Sequence, residues 1–405
     1  MEAKKTKRRS GGAVSLPEEI IVFEVLARLP VKQLCRLRCV SKRWRALISD
    51  PAFAAARKSL AAPLLVGVFA APRELDDGHY WNLELRVVDS ADGAVLRVVN
   101  GVKSPILVPT CLGLVCVDGQ ERHGAMVIDP ATGRVTTVGG AAKDGVFCRY
   151  SFGRAPSGAY KVVRRSDKLT GRTGRSRIWE IATLGADGAA EPTRWRQMPA
   201  PPVIPCRRSG CPPAAVNGVL YFMARNVLFA PRGTSSIVSL DLEIEQWKTT
   251  IKGPVIQCSE KGERWEIALC ELNGALSLVE TVHSPLDGSY ANIWLLVDSD
   301  KSIWVKEYTI QMPKTVFLVR ALDVLIDGRV LLFSAFGIGE EQYRFPESSY
   351  IMQLYDPNTR VCTDLMEMTE EFRGTTMALY TGDILSCWTI MGNPSQNSQS
   401  LGTIV

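Results

Sequence analysis

A beat of just over fifty residues governs most of this chain. Gly113, Gly218, Gly274, Gly328 and Gly382 each open a short apolar run, and the last three steps are 56, 54 and 54 residues. Gly113 to Gly218 is 105, close to two such steps, with Gly158 between them. Asn217, Asn273 or Asp327 precedes three of these glycines. Asn-Gly and Asp-Gly supply the positive φ angles of a tight hairpin. Around them, runs of Val, Leu, Ile, Phe and Tyr alternate with Gly, Asp, Asn and Pro, which is strand-and-turn chemistry.

A second landmark keeps the same beat. Asp129, Asp241, Asp298 and Asp356 each end an apolar run, and the last two steps are 57 and 58 residues. Between Asp129 and Asp241, residues 178–183 read as a strand without the aspartate. Further strands follow, often with tryptophan: Trp195, Trp247 and Trp304. A long all-β repeat with roughly four strands per unit predicts a β-propeller-like domain of about six four-stranded units. The competing reading is a pair of β-sandwiches with coincident hairpins, which two landmarks in phase disfavour. Neither a kelch nor a Trp-Asp signature is present.

The N-terminal part differs. Ser15 with Glu18 fits a capping box, and Pro17 sits in the first turn of a predicted helix over residues 16–29, which Pro30 ends. Leu16, Ile20, Phe23 and Ala27 form one apolar stripe; Val22, Val25, Leu26 and Leu29 form another. Short helices follow at about 32–40 and 41–48. One stripe can pack on Leu34, Leu37, Val40, Trp44 and Leu47; the other has no partner inside so small a module. The spare stripe docks either on the rest of the chain or on another protein.

Of the net charge of +6, a cluster before residue 10 supplies most: Lys4, Lys5, Lys7, Arg8 and Arg9 against Glu2. It reads as a disordered arm or a nuclear localisation signal. Residues 393–403, rich in Asn, Ser and Gln, read as a disordered tail. The run at 61–71 is too short to span a bilayer, and no apolar segment follows the basic start as a secretory signal requires. The 11 cysteines show no zinc spacing and there are three histidines, so buried reduced thiols in a cytosolic or nuclear protein are expected.

No Gly-x-Ser-x-Gly, phosphate loop or His-Glu-x-x-His pattern occurs. Residues 149–177 instead hold Arg149, Arg154, Lys161, Arg164, Arg165, Lys168, Arg172, Arg175 and Arg177 against Asp167 alone, with Arg207 and Arg208 nearby. This is a solvated basic surface or a cradle for an acidic or phosphorylated peptide; Arg164, Arg165, Arg207 and Arg208 are its candidate residues. The aromatics do not interleave with these charges as a nucleic-acid stacking platform requires.

Leu16-Pro17-x-Glu19-Ile20, Leu26-x-x-Leu29-Pro30-Val31-Lys32, Leu34-x-Arg36-x-Arg38-x-Val40-x-Lys42-x-Trp44 and Asp50-Pro51-x-Phe53 resemble the F-box motif of plant F-box proteins. The resemblance implies docking to the Skp adaptor, and through it to cullin, in a ubiquitin ligase. It places Leu16, Pro17, Ile20, Leu29, Pro30 and Val31 against the adaptor, with Leu34 and Val40 beside them. Gly113-Leu114-Val115-Cys116, Asp129-Pro130-x-Thr132-Gly133-Arg134, Ser157-Gly158-x-Tyr160-Lys161 and Val216-Asn217-Gly218-x-Leu220-Tyr221 are similar to the plant F-box-associated domain. Leu112 and Arg154-Ala155 depart from that pattern.

The expected chain is α plus all-β: a disordered basic tail (1–14), a three-helix F-box (15–60), a β-propeller-like domain (63–390) and a disordered tail (391–405). Its implied function is substrate recognition for an SCF-type cullin-RING ubiquitin ligase. The implied partners are the Skp adaptor and an unknown protein substrate, with no nucleic acid, membrane, metal, cofactor or catalysis. The alternative is a propeller enzyme or small-ligand binder carrying a protein-docking module.

Overall fold

In the computed structural model of the protein, the described residues are 25–29, 31–50, 52–53, 57, 62–71, 82–139, 146–170, 174–185, 195–206, 211–224, 232–257, 264–284, 288–313, 316–337, 349–374, 376–382 and 384. The chain divides into two compact units, Met1–Ala61 and Ala62–Val405.

In the first unit the described residues form a 3-10 turn at Leu26–Arg28 and two helices, α1 (Val31–Val40) and α2 (Lys42–Ile48). Two helices stand where three were expected. Most of the predicted first helix lies outside the described residues, and its described end is the 3-10 turn. Leu29 is extended (φ −74°, ψ 144°), as a residue before proline must be. Ser41 caps α2: its hydroxyl accepts the Trp44 N–H at 3.1 Å. Leu26, Ala27, Leu34, Ile48 and Phe53 are buried, whereas Val40 is 70% exposed at the end of α1 and lies outside this core. The sequence tails 1–14 and 391–405 fall outside the described residues.

The second unit is a ring of six sheets, antiparallel but for one short parallel contact in the first, so the six-bladed propeller stands. Blade 2 runs Leu107–Val108, Val115–Asp118, Ala125–Asp129, Arg134–Val138. Blade 3 runs Val146–Arg154, Tyr160–Thr170, Gly174–Leu184, Arg196–Met198. Blade 4 runs Ala214–Val216, Val219–Met223, Arg232–Asp241, Gln246–Trp247, with Ile251–Gln257 also on its third strand. Blade 5 runs Arg264–Leu272, Ala275–Ser284, Gly288–Asp298, Ile303–Met312. Blade 6 runs Val316–Val324, Val330–Phe336, Ser349–Asp356, Val361–Glu367.

Blade 1 is shared between the two ends of this unit. Leu64–Ala70, Leu83–Asp89 and Val95–Val102 supply three strands, and Ala378–Tyr380 pairs antiparallel with Leu64–Val66 as the fourth. The same C-terminal strand pairs parallel with Cys111–Leu112. Gly382 therefore follows the strand that closes the ring, and the second strand of its blade is Leu64–Ala70.

The landmark residues have structural causes. Asn217-Gly218 and Asn273-Gly274 are two-residue hairpins between the first and second strands, with positive φ at both positions (46° and 80°; 51° and 73°). The aspartates end third strands, where each carboxylate accepts the N–H two residues on: Ala131, Glu243, Asp300 and Asn358 at 2.8–3.0 Å. Asp89, which the periodicity did not single out, does the same for Ala91 in blade 1. Four residues beyond each aspartate stands a left-handed residue: Gly93, Gly133, Glu245, Ser302 and Arg360. Five outer turns thus share one geometry, and blade 3 alone lacks its aspartate.

Apolar clusters join the blades. Val127, Tyr150 and Phe152 lie between blades 2 and 3; Trp179, Phe222 and Leu242 between 3 and 4. Leu278 and Ile237 join 4 to 5, Ile293 and Leu332 join 5 to 6, and Phe333 and Leu65 join 6 to 1. Outer-strand tryptophans reach back one blade. Trp247 Nε1 donates to the Pro199 carbonyl and Trp304 Nε1 to the Lys252 carbonyl, each at 2.8 Å.

Candidate functional site

Four-stranded meanders leave two unlike faces on this ring. Turns between first and second strands, and between third and fourth, gather on one face and hold two to five residues in most blades, 185–195 being the long exception. Connections from second to third strands and from blade to blade leave on the other. They include 71–82, 199–213, 224–231, 337–348 and 368–377. Long loops on a rigid frame are where binding residues collect.

A cleft of about 80 Å³ opens on the long-loop face where blades 2, 3 and 4 meet. Strand register builds it. Arg149, Arg165 and Trp179 are direct cross-strand neighbours on three successive strands of blade 3, so their side chains share one face. One row further out, Phe147, Asp167 and Arg177 are neighbours in the same way. Blade 4 contributes Phe222 and Met223 to the wall, and the link before it contributes Cys206, Cys211, Pro212 and Pro213. Asp118 and Leu107 of blade 2 line it on the other side.

The Arg165 side chain is only 11% exposed. It donates from Nη1 to the Cys206 carbonyl at 3.3 Å and lies 6.0 Å from the Trp179 ring centre. Burial pushes its pKa below the ordinary arginine value; Asp167 opposes that shift, while Arg149 and Arg177 add to it. Asp167, 3% exposed, faces Arg177 at 3.3 Å and Arg165 at 3.8 Å.

The basic run is otherwise dispersed. Arg164 points to the opposite face of blade 3 from Arg165, where it donates to Glu180 at 2.9 Å and lies 4.2 Å from the Trp195 ring centre. The fold thus separates Arg164 from Arg165, while Arg207 and Arg208 lie outside the described residues. Arg154 donates to the Gly158 carbonyl at 3.2 Å on the short-turn face. Sequence alone did not bring Trp179 or Asp118 to Arg165. The contributing signal was alternation along residues 146–184, but pairing register is not readable from one strand at a time.

A second ionic group sits on the short-turn face. Glu245 of blade 4 accepts from Lys161 at 2.7 Å and from Arg196, and Thr183 Oγ1 accepts from both cations at 2.9 Å. All three partners belong to blade 3, the blade without the aspartate turn. Glu245 occupies the left-handed turn position (φ 56°) where blades 1 and 2 have glycine. Burial pushes its pKa up, but the bonds from Lys161 and Arg196 win and hold it below the usual glutamate value of 4.5. A depressed folded pKa stabilises the fold above the unfolded pKa, and that stability is lost as pH falls through the folded value. Glu245→Gln is expected to cost about 2 kcal/mol at pH 7, chiefly by stranding Lys161, whose side chain is 10% exposed. In urea melts the gap to the parent should narrow below pH 4.5; a pH-independent gap would refute the ionic origin.

In the first unit, α1 begins at Val31, and Leu34 is fully buried. Leu29 is half-buried and Val40 is exposed. Leu16, Pro17, Ile20 and Pro30 lie outside the described residues. Among the described residues, no group of three or more His, Cys, Asp or Glu side chains is arranged to hold a metal ion. No described helix is long and apolar enough to cross a membrane.

Comparison with known proteins matches residues 96–335 to the F-box associated beta propeller domain and residues 14–54 to the F-box domain. The F-box protein At5g65850 of Arabidopsis thaliana is 26% identical over 323 residues, covering 77% of this chain and 75% of its own. The F-box protein At3g07870 of the same plant is 26% identical over 400 residues, covering 88% of each. Among solved structures, an endo-arabinase from Bacteroides thetaiotaomicron aligns with a TM-score of 0.33 at 11% identity, over 59% of this chain and 96% of its own. That score is too low to bear on activity.

Proposed function

The chain belongs to the F-box-associated β-propeller family, and from that membership we propose that it is the substrate-recognition subunit of an SCF-type cullin-RING ubiquitin ligase. The observation that carries the proposal is the joining in one polypeptide of an F-box match at 14–54 to a propeller match at 96–335. The F-box binds a Skp-type adaptor through Leu16, Pro17, Ile20, Leu29, Pro30 and Val31, flanked by Leu34 and Val40. The propeller holds a target protein on its long-loop face, with Arg165 in the binding cleft. Such a subunit does no bond chemistry of its own. It raises the effective concentration of its target near the ubiquitin-transferring partner.

Co-purification with a Skp-type adaptor tests this. The parent chain is expected to retain the adaptor. Leu29→Ala with Pro30→Ala should weaken retention by about tenfold or more, because apolar anchors at interface centres carry most of the binding energy. A parent chain that retains no adaptor sinks the proposal.

A further inference from the structure

Among the described residues, the long-loop cleft holds a charge that its walls do not balance. Arg149 is half-exposed and lines the cleft, yet it makes no hydrogen bond or ion pair among the described residues. Its direct cross-strand neighbour is Arg165. Like charges directly opposite on a sheet are destabilising, and this pair includes a guanidinium that is nearly nine-tenths buried. Arg165 makes a single hydrogen bond among the described residues, and its buried Nε makes none. Arg guanidinium has five N–H donors, so most of this one's capacity is unspent.

Charge decides the class of ligand. Among the described residues, Arg149, Arg165 and Asp118 line the cleft and the Arg177–Asp167 ion pair lies one row beyond, which leaves one positive charge in this group. Both carboxylates are already engaged. Asp118 accepts from the Gln120 N–H at 2.8 Å and the Tyr150 N–H at 3.3 Å, and Asp167 is ion-paired. One further monoanion would bring these described residues to neutrality, whereas a phosphate dianion would overshoot among them and sit beside the Asp118 carboxylate. The remaining walls are Trp179, Phe222, Pro212, Pro213 and Leu107, which suit the methylene stem and backbone of a peptide rather than a free ion.

We infer that this cleft recognises a carboxylate side chain, Asp or Glu, of a bound polypeptide, clamped between Arg149 and Arg165 against the Trp179 wall. The inference rests on the proposal that the propeller holds a target protein, and it names that target's anchoring chemistry. Arg149 is the exposed jaw and sets selectivity for the anion; Arg165 is the buried, prepositioned one.

The test uses the full-length protein, fluorescently labelled, on an array of dodecamer peptides. Their flanks are randomised, and the central residue is Glu, Gln, Lys or phosphoserine. Charge-assisted bonds to a buried partner predict that Glu is retained about tenfold over Gln. Arg149→Gln should melt like the parent and reduce that preference to about twofold or less, since the bidentate charge-assisted bond is gone. Arg134→Gln, on the outer strand of blade 2, should leave it unchanged. Equal retention of Glu and Gln, a preference that survives Arg149→Gln, phosphoserine ranking above Glu, or no retained peptide each overturns the assignment. Adaptor co-purification from the same preparations reads the F-box alone. Loss there with the Glu preference intact would sink the ligase proposal and leave the cleft standing.

Discussion

Ending the chain after Gly374 is expected to leave the propeller without a cooperative unfolding transition. The deletion removes the only described strand that joins blade 1 to the chain's C-terminal end. With it go the pairing of Ala378–Tyr380 with Leu64–Val66, the parallel contact to Cys111–Leu112 and the Thr381 N–H bond to the Leu112 carbonyl at 3.1 Å. Met377, Leu379 and Tyr380 are all nearly fully buried, and Met377 packs with Leu65, Phe69, Phe333 and Phe372. Burial of three such side chains alone is worth about 6 kcal/mol. A whole domain's net stability is of the order of 5–15 kcal/mol, and the lost ladder bonds add to the deficit. Differential scanning calorimetry of the truncated and full chains decides it. A sharp transition within a few degrees of the parent would show that the ring does not depend on this closure.

Gly218→Ala is expected to destabilise the propeller by about 3 kcal/mol, and Gly274→Ala by about 1 kcal/mol. The two glycines occupy the same position of the same two-residue hairpin, with φ of 80° and 73°. Each alanine therefore carries the same left-handed backbone penalty. They differ in surroundings. A β-carbon at 218 would lie 2.6 Å from Pro156 Cδ in blade 3, and a proline ring on a fixed backbone has little room to yield; at 274 nothing lies within 4 Å. The excess at 218 is thus a packing cost between adjacent blades, separable from the turn cost by comparing midpoints in guanidinium chloride. Equal losses at both sites would show that blades 3 and 4 are not pressed together at this hairpin.

The repeat itself was legible because its cause is local. A left-handed Gly after Asn, or an Asp that satisfies the N–H two residues on, is specified within four or five residues, so sequence spacing carries it. Asp89 escaped because only 40 residues separate it from Asp129, a step shortened by the short strands of blade 2, Leu107–Val108, Val115–Asp118 and Ala125–Asp129. The inner strand of blade 1 was missed for a different reason: it lies at 378–380, and nothing local at Leu64 or Leu379 says that these segments pair. The same limit applies to the site. The basic run 149–177 was visible, but its division into Arg164 on one face and Arg165 on the other follows from strand alternation. Its meeting with Asp118, Cys206 and Phe222 follows from blade packing. Register and packing are set by tertiary context, which a list of charges does not encode. In the first unit, Ser41 was placed at a helix start and proves to be its cap, whereas Val40 is exposed because it lies about 120° round α1 from Leu34, away from the buried face that Leu34 and Arg38 share.

The shared first blade also puts a clock on biosynthesis. The strand edge at Leu64–Val66 leaves the ribosome early, and its partner at 378–380 follows more than three hundred residues later. At ordinary rates of translation that edge waits on the order of half a minute with its N–H and C=O groups unpaired. An open, fully apolar edge is a template for pairing with other nascent chains. Slow codons or stalling anywhere between blades 1 and 6 would lengthen that wait. The yield of folded protein is therefore expected to depend on elongation speed and on chaperones that cover strand edges, more than on the stability of the finished ring.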